Sequence, residues 1–123
     1  MKFLWTTIYV KNLDESITFY SSLVGLKVSR RFPAGPGMEI AFMDNGTPGE
    51  TQIELIADSK NSNVDYNDFI SIGFAVDSVD AMLQTIKSSN IPVHSGPVES
   101  PAFKFFCIKD PNGLSIQFFQ RKS

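Results

Sequence analysis

A chain of 123 residues, 42% hydrophobic and 20% charged, has the size and composition of one globular domain with its own core. Eleven phenylalanines supply that core, and a single cysteine, Cys107, rules out an intramolecular disulfide. A formal net charge of −2 gives no basic field for phosphates and argues against nucleic acid as a partner; no apolar run nears the roughly 20 residues that span a bilayer.

The chain opens Met1-Lys2-Phe3-Leu4-Trp5-Thr6-Thr7, which turns polar too early for a secretory leader. The expected location is therefore the cytoplasm, which a lone cysteine also suits. Residues 3–10 alternate and are rich in aromatic and β-branched side chains, so they predict a strand with Trp5, Thr7 and Tyr9 on one face. Asn12 is placed to cap a helix, with Glu15 three residues on. Leu13, Ile17, Tyr20 and Val24 then recur at helical spacing until Gly25 ends the run.

Strands are predicted over 26–32, 38–43 and 51–56, the last with Gln52, Glu54 and Ile56 on one face. Residues 33–37 and 44–46 read as a loop and a turn, and 57–67 as a polar linker. The pattern then restarts. A strand over 70–76 carries Ser71, Gly73 and Ala75 on one face. Asp77 or Ser78 caps a helix through Val79, Met82, Leu83 and Ile86. A short strand at 92–94, a loop at 97–101 and strands at 103–108 and 114–119 complete the set. The last two flank the turn signal Asp110-Pro111-Asn112-Gly113, and Ser115, Gln117 and Phe119 share a face of the closing strand.

The order strand–helix–three strands thus occurs twice. Setting Val10 over Val76 brings Leu13 over Val79, Ile17 over Leu83 and Tyr20 over Ile86. The expected fold is α+β: two βαβββ modules, about 1–57 and 69–121, forming a curved mixed sheet around a cleft within a single domain spanning 1–123.

Three stretches carry a family resemblance. Residues 10–20 with Leu23-Val24-Gly25-Leu26 hold Ser-x-x-Phe-Tyr and Leu-x-Gly-Leu elements; Thr51-Gln52-Ile53-Glu54-Leu55 ends the first half; and residues 110–118 form a closing hairpin. Together they resemble the vicinal-oxygen-chelate superfamily of glyoxalase I, extradiol dioxygenases and bleomycin-resistance proteins. The resemblance implies a homodimer. In the metal-dependent members it also implies four ligands, on the first and last strand of each half, usually two histidines and two glutamates.

Carried across, those positions are Trp5, Glu54, Ser71 and Gln117. Indole is a donor only, an un-ionised serine is a poor ligand for zinc or nickel, and an amide oxygen is a weak one. The single histidine, His94, lies outside the four positions, so a triad of two histidines and a carboxylate is excluded by count. No cofactor is expected, and the ligand deficit argues against a divalent metal.

The expectation is a small-molecule-binding protein with a degenerate metal site that sequesters a toxic or antibiotic-like planar compound. Trp5, Thr7, Tyr9, Glu54, Ser71, Gln117 and Phe119 would line the site. The alternative is a glyoxalase-type lyase or isomerase with Glu54 as general base, against a bland reading in which Glu54 is bonded to Gln117 or solvent. A third is a purely structural dimerising module. Cys107 reads as a core thiol and His94 as a strand-edge residue. Arg30 and Arg31 read as solvating a strand, with an anionic ligand as their other possible partner. The loops 33–37 and 95–101 are the candidate lids.

Overall fold

The computed structural model describes residues 1–122. Eight strands and two helices are divided between two units, Met1–Val64 and the chain from Asp65 onward. Each unit holds one helix and one four-stranded sheet, ordered β1-β4-β3-β2 in the first and β5-β8-β7-β6 in the second. In each sheet the first strand pairs with the last in parallel and the other pairings are antiparallel. The expected α+β fold with a duplicated βαβββ order is therefore the observed one.

In the first unit, β1 (Trp5–Tyr9) runs into α1 (Leu13–Phe19). Asn12 caps that helix by accepting from the Glu15 backbone N–H at 2.9 Å. The chain then widens into a π-helical turn, Tyr20–Val24, closed by Gly25 in the left-handed conformation at φ +81°. β2 (Lys27–Pro33), β3 (Met38–Asp44) and β4 (Gln52–Asp58) follow. Helix α1 packs on β3 and β4. Ile8, Ala41, Met43, Ile53 and Leu55 occupy one alternating face of this sheet and are buried.

The second unit repeats the plan with β5 (Ser71–Ala75), α2 (Val79–Ser88), β6 (Ser95–Glu99), β7 (Phe103–Lys109) and β8 (Ser115–Arg121). Ser78, not Asp77, caps α2, accepting from the Ala81 N–H at 3.1 Å, and the Gln120 side chain accepts from the Val79 N–H at 2.9 Å. Helix α2 buries Val79 and Ile86 and packs on β7 and β8, where Phe106, Ile108, Ile116 and Phe118 are fully buried.

Two readings need correction. The strand expected at 92–94 lies instead at Ser95–Glu99, so the 95–101 lid is mostly strand. The cause is the Gly96-Pro97 pair, which reads as a loop. Here it sits in an irregularity of an edge strand, between the pairings Ser95↔Cys107 and Val98↔Phe105, where proline costs no ladder bond. The linker expected from residue 57 starts later, because β4 continues through Ala57 and Asp58 to pair with Glu39 and Met38.

The turn at 110–113 joins β7 to β8 as expected. Asp110 is buried, and its Oδ1 accepts from the N–H groups of Asn112 at 2.7 Å and Leu114 at 3.0 Å. Gly113 sits at φ +85°, where a side chain would be strained. Asp110→Ala is expected to strand two backbone donors and destabilise the protein by about 1.5–3 kcal/mol, read as a lowered urea midpoint at unchanged m-value.

Candidate functional site

In β1 the alternation buries Ile8 and leaves Trp5, Thr7 and Tyr9 exposed on the opposite side. Parallel pairing sets Trp5 opposite Gln52, Thr7 opposite Glu54 and Tyr9 opposite Ile56. The Thr7 hydroxyl donates to Glu54 Oε1 at 2.6 Å, so Thr7 supplies the partner that the sequence sought in Gln117 or solvent. The Trp5 ring meets Phe42 of β3 edge-on, with centroids 5.1 Å apart. Beside it, the Gln52 amide donates to Ser29 Oγ at 2.8 Å and to Asp44 Oδ2 at 2.9 Å.

Two residues on this face, Phe32 and Phe42, were not singled out from sequence; Arg30 was, with an anionic ligand as its alternative partner. Phe42 and Phe32 stack at 6.3 Å, and the Arg30 guanidinium carbon lies 4.9 Å and 5.1 Å from their respective centroids. Arg31 belongs to another environment. It donates to Asp14 Oδ1 at 2.8 Å and to Glu39 Oε2 at 2.7 Å. Its bonds to Glu39 and then Asp14 raise its pKa further, and it holds Glu39 below the usual carboxylate range. The two arginines, read alike from sequence, differ here: Arg31 is neutralised by two acids, while Arg30, exposed, is laid over aromatic rings.

In the second unit, Ser71 is exposed on β5 opposite Ser115, Gly73 lies opposite Gln117 and Ala75 opposite Phe119. A Cβ at Gly73 would come 3.4 Å from Gln117 Oε1, so its absence leaves that amide less covered. Phe119 stacks with Phe103 at 5.6 Å and Phe105 at 6.3 Å. Cys107 is buried as expected but pairs opposite Gln117, on the face that alternation gives to Phe105 and Phe119. His94 marks the strand edge. Its Nε2 lies 3.1 Å from Asp68 Oδ1, as does Lys109 Nζ, and Lys109 is the main cause holding Asp68 below the usual carboxylate range.

A cavity of about 540 Å³ lies elsewhere in the first unit, beside the 33–37 loop, where it is lined by Lys11, Arg31, Glu39 and Asp58 among others. None of the seven residues chosen from sequence lines it.

The donor chemistry at the four positions where the family resemblance implies ligands does not fit a catalytic zinc or nickel ion. Trp5 offers an N–H and no lone pair, Ser71 an exposed hydroxyl and Gln117 an amide. Glu54 is the one good ligand, and one of its oxygens already accepts from Thr7. Among the described residues, no three histidine, cysteine, aspartate or glutamate side chains converge. Also among them, no helix is long and apolar enough to cross a membrane.

Comparison with known proteins settles the family. The model of the Glyoxalase/Bleomycin resistance protein/Dioxygenase superfamily matches residues 2–118. The chain belongs to that superfamily. Among its members, the lactoylglutathione lyase of Neisseria meningitidis serogroup A is 30% identical, over 100% of this chain and 93% of the relative. The trypanothione-dependent glyoxalase I of Leishmania major superposes with a TM-score of 0.82 at 25% identity, covering 98% of this chain and 86% of that one. The antibiotic-binding protein TnmS3 from Streptomyces sp. CB03234 shares the fold, with a TM-score of 0.72 at 18% identity over 99% and 97% of the two chains.

Proposed function

We propose that this superfamily member is a metal-independent small-molecule-binding protein that holds a planar compound against Trp5, whose ring Phe42 braces. What supports the reading is the set of side chains at the positions where the family resemblance implies ligands. An exposed indole braced edge-on by a buried phenyl replaces the first ligand, and the remaining carboxylate is taken up by Thr7. A flat apolar surface with a few fixed polar groups suits shape-based capture and offers no Lewis acid. Tyr9 continues the same exposed face, and Ser71, Gln117 and Phe119 form the equivalent face of the second unit. Sequestration of a toxic or antibiotic-like compound is the role this chemistry serves.

A homodimer is part of the proposal. Phe3 and Leu4 before β1, and Phe69 and Ile70 before β5, are large apolar side chains left exposed, and a second copy would cover them.

The identity to the Neisseria lyase favours a second reading, in which Glu54 is a general base. Glu54→Gln separates the two, since glutamine can still accept from Thr7 but cannot take a proton. A binder keeps its affinity for a neutral planar ligand within about threefold and has no lactoylglutathione turnover to lose. Turnover in the parent protein that falls about a hundredfold or more in Glu54→Gln would establish the lyase instead.

A further inference from the structure

We propose that the ligand taken up at Trp5 is a planar organic anion, and that Arg30 receives its carboxylate-like group. The inference rests on the binding reading above and adds the ligand's charge. On this face of the first unit, three acids have protein donors, Asp58 through the Lys60 N–H at 3.0 Å. Glu54 accepts from Thr7, and Asp44 accepts from Gln52 through one oxygen and from the Gly46 N–H, at 2.9 Å, through the other. Arg30 has no such partner. The ion pairs found among the described residues engage Arg31 with Asp14 and Glu39 and leave Arg30 without an acid. Arg30 is exposed and packs over Phe42 and Phe32, and Phe42 in turn braces Trp5. An uncompensated guanidinium beside an aromatic platform is the arrangement that recognises a carboxylate on a flat ring system, because its fork of N–H donors matches two oxygens at once. Phe32 and Phe42 also restrict the side chain before binding, which lowers the ordering cost.

The chain's single tryptophan makes the test direct, since one indole N–H signal in a ¹⁵N-correlated NMR spectrum reports this face. Full-length protein is titrated with 2-naphthoate and, separately, with its neutral amide. The expected result is that both shift the Trp5 signal and the carboxylate binds at least tenfold more tightly. Arg30→Met, which keeps the apolar stem, and Arg30→Gln, which keeps a donor without the charge, should erase that preference and leave the amide's affinity within about twofold. Equal affinity of the two probes for the parent protein would overturn the anion inference and leave the binding reading standing. So would equal weakening of both probes by the variants, which would mean lost packing. If neither probe moves the Trp5 signal, the binding reading fails and this inference fails with it.

Discussion

Trp5→Ala is expected to weaken binding of a planar aromatic probe about thirtyfold, the loss of roughly 2 kcal/mol typical of a central aromatic anchor. Trp5 is 44% exposed, and its one ring contact among the described residues is the edge-on approach to Phe42, so little of the sheet's stability depends on it. The same substitution should therefore change the free energy of unfolding by less than about 1 kcal/mol. Trp5→Phe should recover most of the affinity, since it restores a flat face and loses the indole donor. Calorimetric titration paired with urea unfolding reads both quantities. Lost stability at unchanged affinity would make Trp5 a filler of the former ligand position and no binding residue.

Phe118→Ala should have the largest effect on folding, about 3–5 kcal/mol. Phe118 is 1% exposed, lies on the helix side of the second sheet and packs against Phe106 with centroids 5.3 Å apart. Against a total stability of roughly 5–15 kcal/mol, that loss should leave a visibly unfolded fraction at 37 °C. The neighbouring Phe119→Ala is the control. Strand alternation turns Phe119 to the face of Gln117, where it is half-buried, and its cost should be about half as large or less. Equal losses at the two positions would mean that β8 is turned by one residue, which would also displace Gln117 from the site.

The residues that made the fold legible are those whose signal is local. Asn12 with Glu15 marked the start of α1, and Ser78 lay within the pair expected to cap α2. The alternation Trp5-Thr7-Tyr9 against Ile8 oriented β1 correctly, because one buried face suffices to set a period of two. The helix expected to reach Val24 does reach it, but its last turn is π-helical. That change lies in backbone bonds such as Gly25 N–H to the Tyr20 carbonyl, which side-chain spacing does not encode.

The candidate site was legible only in part, and for a similar reason. Trp5, Thr7 and Glu54 could be named because single strands and the family pattern place them. Phe32 and Phe42 could not, and Arg30 was named without its place over them, because their proximity depends on the β2–β3 register. That register shifts between Val28 and Arg30, so alternation counted from Val28 puts Arg30 on the wrong face relative to Phe42. Pro97 hid β6 for a different reason: the residue that usually ends a strand is tolerated on an edge.

The central proposal is that the positions where the resemblance implies metal ligands serve instead to bind a small molecule without metal. Its most direct test is metal analysis of untagged protein, exposed separately to nickel, zinc, manganese and iron salts and then desalted. Three protein ligands are the usual minimum for a catalytic zinc site, and Trp5, Glu54, Ser71 and Gln117 provide one strong donor among them, so the protein should emerge with well under a tenth of an equivalent of any metal. Retention of close to one equivalent, lost on Glu54→Gln, would contradict the account and restore a metal-dependent role to this chain.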